Sequence, residues 1–335
     1  MKRIASFFLA LALAFSLTAC TVPVEKADDG KIQIVATLFP YYDFARAIVG
    51  DRADVTLLLS PGREAHSFEP TPLDAVTISE SDVFLYNGGE GEYWVDSMLD
   101  AAGENIAVIA RMMDYVDALD EEYVEGMQGA DGHDHDHEHG SHDDHDHDHE
   151  EDEHDSDEIE YDEHIWTSPK NAVVLCRAVC DAICRADAEN AAFYRANCEN
   201  YCAQLEDLDA RFAALCESAP RRLLIFADRF PMLYFCREYG LDYRAAFHGC
   251  SGDTEPSLAT IKFLIDKVED ENIPVVYTID FGTKKVAAVV SECTGAAIET
   301  LYSMQTVSRA DFDAGETYLT LMERNFETLR KGLNE

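Results

Sequence analysis

Five side chains able to hold a metal stand where a strand is expected to end or a loop to meet a helix. His66 follows a run rich in Val and Leu at 54–59, Asp228 follows 222–227, His248 follows 242–247 and Asp280 follows 274–279, while His164 lies between an acidic stretch and a long helical segment. Open parallel sheets bind ligands beyond the carboxyl ends of their strands, so these donors are expected to converge on one cleft. Three imidazoles and one carboxylate suit a tetrahedral zinc ion. Blander roles compete: a turn position for His248, a helix cap for Asp280, and a salt bridge to a nearby arginine for Asp228. No Ser-His-Asp elbow, Walker loop or GxGxxG is present, and the cluster Asn87-Gly88-Gly89-Glu90-Gly91 lacks the spacing of a phosphate loop.

A second set of donors is packed into one stretch. His133, His135, His137, His139, His142, His145, His147, His149 and His154 are nine of the 12 histidines, and residues 131–163 carry 18 Asp and Glu with no Lys or Arg. Alternating imidazole and carboxylate suits Zn²⁺, and also Ni²⁺ or Cu²⁺. Without apolar periodicity, 131–157 is expected to be a disordered loop. Each ion would have to order the chain around it, so weak, multiple sites are expected, collecting metal beside the cleft. Imidazole protonation near pH 6.5 should weaken both kinds of site in acid. The 335-residue chain has a formal charge of −40, which excludes non-specific nucleic-acid binding.

Hydrophobic residues make up 47%, enough for a real core. Strands are expected at 31–36, 54–59, 82–87 and 106–109, with helices at 41–49, 72–79 (Thr71 as a cap) and 92–101. Ser168-Pro169 reads as an N-cap with proline in the first turn, opening a helix to about 185. A second helix, 188–217, is long enough to act as a strut between two lobes. The alternation then resumes: strands at 222–227, 242–247, 274–279 and 297–301, helices at 232–239, 256–269, 284–293 and 315–333. Strand–helix alternation repeated on both sides of a strut predicts parallel α/β sheets.

Lys2 and Arg3 precede a 14-residue apolar run, 4–17, too short for a comfortable transmembrane helix and typical of an export signal. It ends in Leu17-Thr18-Ala19-Cys20, which resembles a bacterial lipobox and implies lipidation of Cys20. Segment 1–19 is then a signal peptide and 20–30 a tether. No second apolar stretch long enough to span a bilayer follows, so a body in water is expected outside the membrane. Nine cysteines remain, an odd number; Cys176, Cys180 and Cys184 at i, i+4, i+8 read as small core fillers, and no CxxC marks a zinc-thiolate site.

Arg63-Glu-Ala-His66-Ser-Phe-Glu-Pro-Thr-Pro72 resembles the first metal-ligand motif of the zinc/manganese solute-binding lipoproteins of ABC importers, and Asp162-Glu-His164-Ile-Trp-Thr-Ser-Pro-Lys-Asn171 resembles the second. Asp82-Val-Phe-Leu-Tyr-Asn-Gly88, Trp94 and the acidic insert before His164 also match, and the resemblance covers about 32–332. It implies two parallel-sheet α/β lobes (31–167 and 220–335), a helical region with a rigid strut (168–219), and one metal in the interlobe cleft. His66 and His164 carry over as ligands and Asp280 maps best onto the fourth, a carboxylate. The third departs from the pattern: the segment reads Ala227-Asp228-Arg229-Phe230, so either His248 supplies the imidazole or Asp228 substitutes. Glu255 is assigned to orienting a ligand histidine. The function implied is extracytoplasmic capture of Zn²⁺, by a membrane-anchored monomer without turnover, for an ABC permease and its ATPase. Mn²⁺ or nickel capture and a zinc-buffering or adhesion lipoprotein are the alternatives. An enzyme in which zinc activates water needs an open coordination position and a base, and no base motif stands out.

Overall fold

Strand β1 (Gln33–Ala36) is flanked by β2 (Asp54–Leu57) and β3 (Val83–Tyr86), and β4 (Val108–Arg111) adds to β3, giving a four-stranded parallel sheet in the order β2-β1-β3-β4. The computed structural model describes residues 30–63, 65, 67–128, 160–251 and 255–334. The leader with Cys20, His66, and the insert carrying His133 to His154 lie outside the described residues. Helices α1 (Phe39–Val49), α2 (Pro72–Ser79) and α3 (Trp94–Ala102) connect the strands. α2 starts where its sequence says it must: Thr71 accepts from the Asp74 amide at 3.3 Å, and the Asp74 carboxylate takes the Thr71 amide at 2.7 Å. β4 begins later than the 106–109 run suggests, because a 3-10 turn at Gly103–Asn105 uses up the residues after α3.

Two helices follow, α4 (Pro169–Ala186) and α5 (Ala191–Ser218). Ser168 caps α4 by accepting from the Asn171 amide at 3.3 Å, with Pro169 in the first turn. The strut α5 has 28 residues, about 42 Å at 1.5 Å per residue. It packs against α1, α4 and elements of the second half.

That half is a second parallel sheet, β5 (Leu223–Phe230), β6 (Asp242–His248), β7 (Val275–Ile279) and β8 (Ala297–Leu301), ordered β6-β5-β7-β8. Its helices are α6 (Leu233–Tyr239), α7 (Leu258–Asp270), α8 (Lys285–Thr294), α9 (Arg309–Ala314) and α10 (Tyr318–Asn334). Strand alternation divides its core. Leu224, Phe226, Val275 and Tyr277 join the main core shared with the first sheet, while Ile225, Ala227 and Val276 face a smaller core with Leu264 and Val290. Asp43 ties the halves together: its buried carboxylate accepts from the Tyr201 hydroxyl at 2.7 Å and the Tyr318 amide at 2.9 Å. Residues 32–335 accordingly cluster as one contact unit.

Three local expectations change. The helix expected at 315–333 is α10, which starts at Tyr318, and a short helix that was not expected, α9, precedes it and ends at Gly315 with φ +77°. β5 does not stop at 227. It continues through an irregularity between Phe226 and Arg229 that inserts one residue against β6, so Asp228 lies within the strand and His248 closes β6 instead of following it. The helix expected from 256 starts at Leu258, capped by Ser257, whose hydroxyl accepts from the Thr260 amide at 3.0 Å. Among the described residues no helix is long and apolar enough to cross a membrane.

Candidate metal centre

The two ends of the insert leave the body as a paired stem. Asp120 and Tyr161 form an antiparallel bridge, the Glu121 amide donates to the Glu160 carbonyl at 2.8 Å, and the Asp162 amide donates to the Leu119 carbonyl at 2.9 Å. This stem presents Asp162, Glu163 and His164 on one arm and Glu121 on the other.

His164 is 2% exposed and starts a 3-10 turn, Ile165–Thr167. Its amide donates to Asp162 Oδ1 at 2.8 Å, and its Nδ1 lies 3.1 Å from the same oxygen. With the Nδ1 proton given to Asp162, the imidazole lone pair is on Nε2, the arrangement of a carboxylate-oriented metal ligand. Burial works to lower the His164 pKa, but the carboxylates of Asp162, Glu121 and Glu163 outweigh it and raise the pKa above its ordinary value. The ring rests on the second sheet: a Cβ at Gly249 would lie 3.1 Å from His164 Cε1 and Nδ1. His164 lines a cavity with Arg229, Gly249, Phe281, Ser303 and Gln305.

The remaining expected donors surround this cavity without closing on it. His248 Nδ1 lies 3.4 Å from Glu121 Oε1, and its ring packs 5.1 Å from Tyr123. Asp280 accepts from the Ser303 amide at 3.0 Å and faces the adjoining cavity, which shares Phe281 with the first. Asp228 accepts from the Ile279 amide at 3.3 Å, and Gly282 is pressed so close to it that a Cβ there would sit 1.7 Å from its Oδ2; it braces the turn after β7. His66 lies outside the described residues; its neighbours Ala65 and Phe68 line a cavity with Glu92, Trp94 and Glu163 that meets the His164 cavity at Gln305. Among the described residues His164, His248, Asp228 and Asp280 do not bring three ligating atoms within 4.8 Å of one another. Glu255 is not beside any of these histidines: 80% exposed, it pairs with Lys285 Nζ at 3.5 Å. Asp162 holds the orienting place at His164, and Glu121 lies against His248.

Glu121 carried no sequence signal. Its carboxylate accepts from the Gly249 amide at 2.8 Å. Burial works to raise its pKa, but the adjacent His248 and the charge of His164 bring it below the ordinary value. The glycine cluster also finds its purpose here. Gly89, at φ +91°, would place a Cβ 2.5 Å from Glu163 Oε1, and the Gly91 amide donates to that oxygen at 2.7 Å, so the loop cradles a carboxylate of the protein itself.

Glu92 supplies a pH prediction. Burial pushes its carboxyl from an ordinary 4.5 up to about 7, with the Gly88 amide bond at 2.8 Å only partly compensating. A raised carboxyl pKa stabilises the fold below the unfolded value, and that stability is lost as pH rises through the folded one; the gap is worth roughly 3 kcal/mol. His164, also raised, acts in the same direction. The metal-free protein should therefore lose thermal stability between pH 5 and 8, and Glu92→Gln should remove most of the slope. An unchanged slope in that variant would refute the assignment. Zinc affinity should move oppositely, because the ion displaces a proton from imidazole.

The family described as "Zinc-uptake complex component A periplasmic" matches residues 34–332. The high-affinity zinc uptake system protein ZnuA of Bacillus subtilis is 29% identical over 339 residues, 99% of this chain and 98% of the relative. The zinc-binding lipoprotein AdcA of Streptococcus pneumoniae is 29% identical over 332 residues, and there the match spans 99% of this chain but 61% of the relative. Among solved structures, the metal-dependent lipoprotein YcdH of B. subtilis superposes with a TM-score of 0.72 at 28% identity, covering 90% of this chain and 100% of that one. The Zn(II)-bound ZnuA-like domain of S. pneumoniae AdcA gives 0.71 at 24% identity, over 91% and 100%, a likeness of fold.

Proposed function

Because the chain belongs to the family of periplasmic zinc-uptake complex component A, we propose that it captures Zn²⁺ outside the membrane and passes it to an ABC permease, with no turnover of its own. The observation that carries this reading is His164: a buried imidazole oriented by Asp162 in a cavity walled by the second sheet. His66 is the second ligand from the first half. His248 and Asp280 are the donors of the second half nearest in kind, with Asp228 the alternative held back by its contacts to the turn after β7. Lipid on Cys20 would keep the protein at the membrane where the permease is. The carboxylates of Asp162, Glu163, Glu121, Asp228 and Asp280 give the region a negative character that favours a dication. Cavity-lining imidazole favours Zn²⁺ over Mn²⁺.

In this reading the insert serves as an accessory. Both stem ends flank the His164 region, so ions collected on the insert are released near the cleft. Residues 21–335 lacking 131–157 should still bind one Zn²⁺ tightly in competition with a calibrated chelator and in preference to Mn²⁺, and the deletion should slow uptake only where zinc is scarce. Loss of the tight ion on deletion would make the protein a loop-based zinc buffer instead.

A further inference from the structure

Cys176 and Cys180 are one turn apart on α4, and Cys198 and Cys202 are one turn apart on α5. Residues at i and i+4 share a helix face, and these two faces meet. The Sγ atoms of Cys176, Cys198 and Cys202 all lie within 4.8 Å of one another, and those of Cys198 and Cys202 are 3.9 Å apart. Cys176 is 0% exposed, Cys202 1%, and Cys180 and Cys198 3% each. A regular tetrahedron of sulfurs at a Zn–S distance near 2.3 Å has edges of about 3.8 Å. Cys176, Cys198 and Cys202 thus form a triangle close to the dimensions of a thiolate site, with Cys180 one turn from Cys176 on the same helix and no described carboxylate or imidazole in the close group.

We propose that Cys176, Cys198 and Cys202, with Cys180 within reach as a fourth donor, form a second metal site, which takes a thiophilic d¹⁰ cation such as Zn²⁺ or Cd²⁺ as a thiolate complex inside the helix hairpin. Soft sulfur ligands select such ions over Mn²⁺ or Ca²⁺. In the metal-free chain the thiols satisfy themselves locally: Cys198 lies 3.8 Å from the Cys176 carbonyl, and Cys202 3.9 Å from that of Val173. Three thiolates around a dication leave one net negative charge, with Cys180 able to add as a neutral thiol; Arg177, which also pairs with Glu206 at 2.9 Å, is the cation beside Cys202. The site sits in the hairpin that carries the strut, so occupancy locks α4 to α5. Its burial makes exchange slow compared with an ion in the cleft.

The test uses residues 21–335, reduced and handled without oxygen, and titrated with Cd²⁺. Expected are nine reactive thiols in denaturant before loading, then a sulfur-to-metal charge-transfer band in the near ultraviolet saturating at one ion. The band should survive His164→Ala and Cys293→Ser, and fall at least tenfold in both Cys198→Ala and Cys202→Ser. Circular dichroism of the two cysteine variants checks that the helices remain. Absence of the band with all nine thiols reactive would show that the cysteines are packing groups only. Fewer than nine thiols in the protein as isolated, counted in denaturant before any reduction, would show disulfides in place of a metal site. Either outcome overturns the proposal.

Discussion

His164→Ala should weaken zinc binding by roughly 100- to 1,000-fold. Structural zinc sites are worth about 10–16 kcal/mol in apparent binding energy, so each of four donors accounts for roughly 2.5–4 kcal/mol, and each 1.4 kcal/mol is about tenfold in affinity. The change should do little to the fold. Asp162 Oδ1 keeps the amide of residue 164 as a donor at 2.8 Å, so deleting the ring does not strand the buried carboxylate; a stability loss of about 1–2 kcal/mol is expected. Chelator competition on the zinc-free protein, with a thermal melt as control, measures both quantities. An affinity within tenfold of the parent would place the tight ion somewhere other than the Asp162–His164 arm. His248→Ala should have a smaller effect, because its Nδ1 already faces Glu121 and its side chain is 19% exposed.

The contrast between these two histidines shows how far sequence carries a site. His164 lies in a motif where Asp162, Ser168 and Pro169 are all local, and local chemistry is readable: the same logic found the Thr71–Asp74 capping box and the start of α4. The two parallel sheets were readable because β-branched runs alternate with helical periods. What was not readable depends on chain crossings. Glu121 is more than 100 residues from His248 in sequence, and only the stem of the insert brings it there. The extra residue in β5 has no signature beside Ala227-Asp228, so Asp228 passed for a loop residue when it belongs to a strand and supports a turn. Cys176, Cys180 and Cys184 were legible as one helix face, but a face carries no record of what is opposite. That Cys198 and Cys202 meet it is a property of the hairpin.

Trp166→Ala is expected to be the most damaging single change to the fold near the site, at about 3–5 kcal/mol. Trp166 is fully buried and is the largest side chain so enclosed among the described residues. Its indole Nε1 donates to the Ser303 carbonyl at 2.8 Å, its own carbonyl accepts from the Tyr318 hydroxyl at 2.6 Å, and its ring meets Tyr41 edge-on at 6.3 Å. The side chain therefore joins α1 of the first half to the loop whose Ser303 amide holds Asp280, while the bond to Tyr318 of α10 runs through the backbone carbonyl and survives in the variant. It also stacks edge-on against His164 at 5.6 Å, so the cavity left by alanine opens directly behind the proposed ligand. Zinc affinity should fall by roughly 10–100-fold, the usual cost of losing a group that orients a ligand. Trp166→Phe separates the two contributions. It keeps most of the volume but leaves the buried Ser303 carbonyl without its indole donor, and should cost about 1–3 kcal/mol. Urea unfolding with and without zinc gives both numbers for each variant. If alanine cost under about 1 kcal/mol, the halves would not be coupled through Trp166, and the position of His164 would have to be set by Asp162 and Gly249 alone.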